Sequence, residues 1–93
     1  MYKQDKAPIF VRDYKKCMKK HWDLELLDEA MFAVVKSDEE KIPHIYNDHA
    51  LTGNLQGYRQ LHINGRSSSW LLRYTINDKT VYFARTGTHD ELD

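Results

Sequence analysis

The chain holds one cysteine, Cys17, among 93 residues. No disulfide can form within it, and a lone thiol fits a reducing compartment, so cytoplasmic residence is the expectation. Long apolar runs are missing as well. The longest, AMFAVV at 30–35, falls far short of the about 20 residues that cross a bilayer. The opening MYKQDK has no apolar stretch of a secretory signal, and no membrane partner is expected. Neither sign of charge prevails: 14 Lys and Arg face 14 Asp and Glu, which argues against a strong nonspecific grip on nucleic acid. The four glycines form no phosphate-cradling loop. The histidines show neither HxxxH nor HxH spacing, and a single cysteine cannot make a CxxC pair. No metal and no cofactor are therefore expected.

The charge that is present is segregated. Between Asp48 and His89 two acids, Asp48 and Asp78, stand against Arg59, Arg66, Arg73, Lys79 and Arg85. Arg12, Lys15, Lys16, Lys19 and Lys20 crowd a helix-like stretch, while the acids gather at 23–40 and at 90–93. A local basic surface is compatible with zero net charge.

Residues 2–6 give a weak strand signal. From Pro8, which suits a first helical turn, the apolar spacing predicts a helix whose buried stripe is Phe10, Tyr14, Cys17, Met18 and His21. On that stripe Cys17 reads as a small apolar group, not a nucleophile. HWD at 21–23 breaks the helix, and Asp23 is placed to cap a second, with Leu24, Leu27, Met31, Val34 and Val35 as its stripe. Residues 41–57 look irregular. Strands are expected at 58–63, 70–76 and 80–85, the last two joined as a hairpin through Asn77 and Asp78. The fold class is thus α+β: one domain over 1–93, in the order β-α-α-β-β-β. A twisted antiparallel sheet would carry two antiparallel helices on one face and leave the other face open for a site.

Four of the five histidines, His44, His49, His62 and His89, lie in the second half. Imidazole exchanges protons near neutral pH. His49 sits in an irregular segment, His62 near one strand end and His89 just beyond another, so a small sheet can bring them together. Arg59 and Arg85 could join them, because guanidinium matches phosphate geometry. Taken singly, each histidine is as well explained as a surface or packing residue. Most aromatics should be core; Trp70, beside a serine-rich loop, is the one with a chance to stack on a base.

Read together, YNDHALTGNLQGYRQLHI (46–63) and WLLRYTINDKTVYFARTGTH (70–89) resemble the YafQ branch of the RelE/ParE toxin superfamily. The resemblance implies a small bacterial toxin that cuts messenger RNA in the ribosomal decoding site. It also implies a cognate antitoxin partner, and contact with operator DNA only through the antitoxin complex. By matched position it makes His49, His62, His89 and Arg85 catalytic and Trp70 an RNA-handling aromatic. Arg59, Arg66, Ser69, Thr86 and Thr88 would add RNA contacts. His89 would be the general acid, and His49 or His62 the base. In RTGTH (85–89), Gly87 would let the backbone turn sharply and swing His89 back over the sheet. Ser69 stands where related sequences often carry an acid. Two other readings compete: a non-catalytic relative of the same fold that inhibits gyrase, and a degenerate toxin acting mainly as an antitoxin-bound co-repressor.

Overall fold

The computed structural model describes residues 1–65 and 67–92. Strand β1 (Lys3–Lys6) is followed by helices α1 (Pro8–Lys19) and α2 (Leu24–Val35). The short β2 (His49–Ala50) lies between two single 3-10 turns, and β3 (Arg59–His62), β4 (Trp70–Asn77), β5 (Thr80–Thr88) and a four-residue helix α3 (His89–Leu92) complete the order. The five strands form one sheet in the order β1-β5-β4-β3-β2.

Local chemistry sets both long helices. Pro8 occupies the first turn of α1, where a missing N–H costs nothing. The buried residues of α1 are Phe10, Asp13 and Cys17, at spacings of three and four. Met18 and His21 leave the expected stripe: Met18 is exposed, and His21 takes a left-handed backbone (φ 61°) that ends the helix. Asp23 caps α2 as its sequence suggested, accepting from the Glu25 N–H at 3.1 Å. Leu27, Ala30, Met31 and Val34 then bury one side of α2.

The sheet is mixed, not wholly antiparallel, because β1 runs parallel to β5 from Lys3↔Thr80 to Lys6↔Phe83. Alternation in a sequence tells which face a residue occupies, and it carries no information on a strand's neighbour or direction. All four β1 side chains are exposed, so backbone pairing alone holds it. The β4–β5 hairpin turns on Asp78 (φ 55°) and Lys79 (φ 62°), one residue later than expected. β5 also runs on to Thr88, three residues past the expected end.

Arg73 pairs with Arg85 whereas Tyr74 pairs with Phe83, so Ala84 is an extra residue in β5. This bulge changes which face the following residues occupy. Phe83 lies in the core, Arg85 aligns with Arg73 on the opposite face, and Thr86 returns to the core side. The core itself joins Phe10, Leu27 and Val34 from the helices to Leu61, Leu72, Tyr74, Val81 and Phe83 from the sheet. Phe10 and Phe83 meet with ring centroids 5.6 Å apart.

Because Phe10 is fully buried at the centre of this contact, Phe10→Ala should destabilise the domain by about 3–5 kcal/mol. Urea unfolding followed by circular dichroism measures this. A change below about 1 kcal/mol would contradict a core organised on that ring.

Candidate active site

The sheet register brings two histidines together. His49 pairs with Gln60, and His62, two residues further along β3, projects on the same face as Gln60. Their ring centroids lie 6.0 Å apart. His89 opens α3 directly after β5, and its ring is 5.8 Å from that of His62. The three imidazoles therefore form a row with His62 in the middle. His49 and His62 are half-buried and His89 is exposed. His44 and His21 are exposed and lie outside this row.

Two of the rings have an assigned tautomer. His49 Nδ1 lies 2.9 Å from the Asn47 carbonyl oxygen, and His62 Nδ1 lies 3.0 Å from the Ser68 carbonyl oxygen. A carbonyl only accepts, so in both rings Nδ1 carries the hydrogen, and Nε2 of the neutral ring is left with its lone pair. Such a nitrogen can take a proton.

Each residue of RTGTH has a structural task. Arg85 donates to buried Asp13 through Nε (2.7 Å) and Nη2 (3.3 Å), and the carboxylate holds the guanidinium pKa above its usual range. The Thr86 N–H also donates to Asp13, at 3.1 Å. Gly87 does not turn the chain. A side chain there would place its Cβ 3.0 Å from Glu91 Oε1, so the glycine makes room for Glu91 to fold back. Thr88 and Glu91 form a reciprocal capping box: the Thr88 N–H donates to Glu91 Oε1 at 2.9 Å, and the Glu91 N–H donates to Thr88 Oγ1 at 3.3 Å. His89 is thereby fixed as the first residue of α3. Lys20 reaches Glu91 Oε2 at 2.8 Å and lies over the Trp22 ring at 4.8 Å, which joins the end of α1 to this corner.

Other expected contacts fall elsewhere. Trp70 is only 8% exposed. Its ring packs 4.9 Å from that of Trp22, and its indole N–H donates to Thr86 Oγ1 at 3.0 Å. A ring so enclosed offers no face to a base, and Trp70 acts as a support for the sheet. Thr86 is 2% exposed and donates onward to the Leu71 carbonyl at 2.8 Å, so its hydroxyl is internal too. Arg59 remains partly exposed but is held by Asp48, with Nε at 3.0 Å and Nη2 at 2.8 Å. Ser69 is exposed beside the row, and Thr88 is taken up by the capping box. Arg66 lies outside the described residues. Cys17 is 2% exposed, and burial pushes its thiol up to about 11, the state of an inert core group. Among the described residues, no three His, Cys, Asp or Glu side chains converge closely enough to hold a metal ion.

Sequence reasoning passed over three acids that organise the site: Asp13, Asp48 and Glu91. Asp13 had a signal, since it lies three residues after Phe10 and four before Cys17 on the buried stripe. Glu91 had a stronger one, because T-H-D-E at 88–91 is a capping-box pattern. For Asp48, nothing in a single sequence points to partners on distant strands.

Residues 2–93 match the family described as "Bacterial toxin of type II toxin-antitoxin system, YafQ". The chain belongs to the YafQ toxin family. It is 35% identical over 83 residues to the mRNA interferase toxin YafQ of Escherichia coli K12, covering 89% of this chain and 86% of that protein. The crystal structure of YafQ from E. coli BL21(DE3) superposes with a TM-score of 0.86 at 30% identity, over 99% of this chain and 98% of the other. YafQ in the E. coli DinJ–YafQ toxin–antitoxin complex gives 0.85 at 32% identity, over 98% and 96%. A metal-bound toxin from Helicobacter pylori gives 0.86 at 29% identity, over the whole of both chains.

The Glu91 carboxyl is held down to about 2, first by the hydrogen bond from Lys20 and then by the Thr88 N–H. A carboxyl whose folded pKa lies below its unfolded value of 4.5 stabilises the fold above pH 4.5 and loses that effect as pH falls toward 2. Glu91→Gln keeps the acceptor oxygen and removes the charge. The melting temperature of the wild type should exceed that of Glu91→Gln at pH 6, with the gap closing between pH 4.5 and 2. A gap independent of pH, followed by thermal unfolding, would contradict this assignment.

Proposed function

We propose that this YafQ-family protein is the toxin of a type II toxin–antitoxin pair and an endoribonuclease that cuts messenger RNA on the ribosome, acting in the cytosol. Its E. coli relatives carry the name mRNA interferase toxin. The observation that carries the chemical part is the row of imidazoles, spaced 6.0 and 5.8 Å between centroids.

Such a row suits metal-free cleavage of a phosphodiester. A neutral imidazole nitrogen takes the proton from a ribose 2′-hydroxyl, and that oxygen bonds to the adjacent phosphorus. The bond from phosphorus to the 5′-oxygen breaks as an imidazolium donates a proton to the departing oxygen. The ends left are a 2′,3′-cyclic phosphate and a 5′-hydroxyl. The entering and leaving oxygens lie in line across phosphorus, so base and acid fit the two ends of the row. His49 supplies the base through Nε2 and His89 the acid, while His62 between them faces the non-bridging oxygens. Arg85 has Nε and Nη2 committed to Asp13, and Nη1 adds positive charge where the phosphorane builds up negative charge. Ser69, which is accessible, would contact the flanking message, whereas Arg59 is held by Asp48 on the other face of the sheet. The partner that silences the toxin is a cognate antitoxin, by likeness to the DinJ–YafQ complex, and operator DNA is met only through it.

His89→Ala and His49→Ala should each lower message cleavage by about 10²–10⁴-fold, read by primer extension in a cell-free translation reaction. His21→Ala, outside the row, should cleave as the wild type does. Undiminished cutting by His89→Ala would reject the mechanism. With net charge zero, naked RNA at physiological salt should bind weakly and stay intact.

A further inference from the structure

We infer that Asp48 is a positioning residue for His49, acting from the opposite face of the sheet; this rests on the reading of His49 as a site residue. His49 sits on a strand of two residues, His49–Ala50, paired to Gln60 and Arg59, with one further bond from the Leu51 N–H to the Tyr58 carbonyl. A strand so short cannot hold an imidazole by its own ladder. The residue before it is tied down on three sides. Asp48 Oδ1 accepts from the Tyr74 hydroxyl, and Oδ2 accepts from both Nε and Nη2 of Arg59. Arg59 and Tyr74 are register partners on β3 and β4, so the carboxylate clamps two neighbouring strands to the start of a third.

The partners are suited to holding still. Tyr74 is fully buried, and burial, followed by its bond to Asp48, raises its pKa so that the hydroxyl stays a donor. Arg59 offers a rigid fork of donors to one carboxylate oxygen, and that bond raises its own pKa. The Asp48 side chain is 14% exposed, and its contacts are charge-assisted and shielded.

The clamp also reaches the His49 ring through the backbone. The carbonyl that accepts from His49 Nδ1 belongs to Asn47, whose backbone is left-handed at φ 50°. That carbonyl is part of the rigid, planar peptide unit joining Asn47 to Asp48. Fixing Asp48 therefore fixes the plane of the carbonyl that sets the His49 tautomer. The ring's other nitrogen, Nε2, is then presented as a lone pair in one direction. Without the clamp, β2 would rock about Asn47, and both the ring position and its tautomer would spread.

Asp48→Asn removes the charge with little change of volume. Its test is the long-range 15N–1H spectrum of the imidazoles, read beside cleavage kinetics. In the wild type, neutral His49 should show a single Nδ1–H tautomer. In Asp48→Asn the His49 signals should move toward a tautomer mixture while those of His62 stay in place. Cleavage should fall about 10- to 100-fold in kcat with little change in KM, as for a misplaced rather than a missing group. Should Asp48→Asn fail to fold, Tyr74→Phe removes one of the three donors, keeps the ring, and should shift His49 in the same direction by less. Unchanged His49 signals in a folded variant overturn the inference, whatever the activity. Full activity of His49→Ala would instead reject His49 as a site residue, leaving the tautomer result to judge the clamp.

Discussion

Asp13 is buried, at 5% exposure, and a buried charge is stable only when paired and hydrogen-bonded. It receives two guanidinium donors from Arg85 and the backbone N–H of Thr86. These contacts span more than seventy residues of sequence and seat the end of β5 against α1. β1 covers β5 only as far as Phe83, so beyond that point Asp13 takes the place of a neighbouring strand. Removing Asp13 would strand Arg85 and open the edge; removing Arg85 would leave a buried anion. The end of β5 takes its position from this pair, and the Thr88–Glu91 box built on that end then sets the residue that begins the last helix.

The two faces of the sheet divide the work. One face carries Leu61, Leu72, Tyr74 and Phe83 into the helices. The other carries the imidazoles. Several polar residues that invite a functional reading belong to the scaffold. Trp70 and Thr86 form an internal chain that ends on the Leu71 carbonyl, and Thr88 caps a helix. Arg85 is held in the same way, since two of its five N–H groups are committed to Asp13 and fix the plane of its guanidinium.

Elements with local causes were legible in the sequence. Pro8 and Asp23 marked the two helix starts to the residue, and period-two alternation located β3, β4 and β5. What stayed hidden depends on non-local facts. The parallel direction of β1 and the existence of β2 rest on backbone pairing, which leaves no trace in side-chain pattern. The convergence of His49, His62 and His89 was expected from strand ends and from family resemblance, and the register supplies its physical reason. Trp70 misled because a tryptophan beside a polar loop has the same composition whether it faces solvent or a second tryptophan at position 22. Asp48 was unreadable for a related reason: its partners are defined by which strands lie side by side.

The supernumerary Ala84 works as slack in the ladder. Because the bulge absorbs one residue, Arg85 still meets Arg73 and Thr86 still meets Leu72. Were all these residues drawn into an unbroken ladder, the guanidinium of residue 85 would point where a small hydroxyl now fits, and the hydroxyl of residue 86 would point away from the indole that it braces. A strand lacking residue 84 would run straight and keep both placements. What the position must hold is therefore a kink, whatever side chain stands on it.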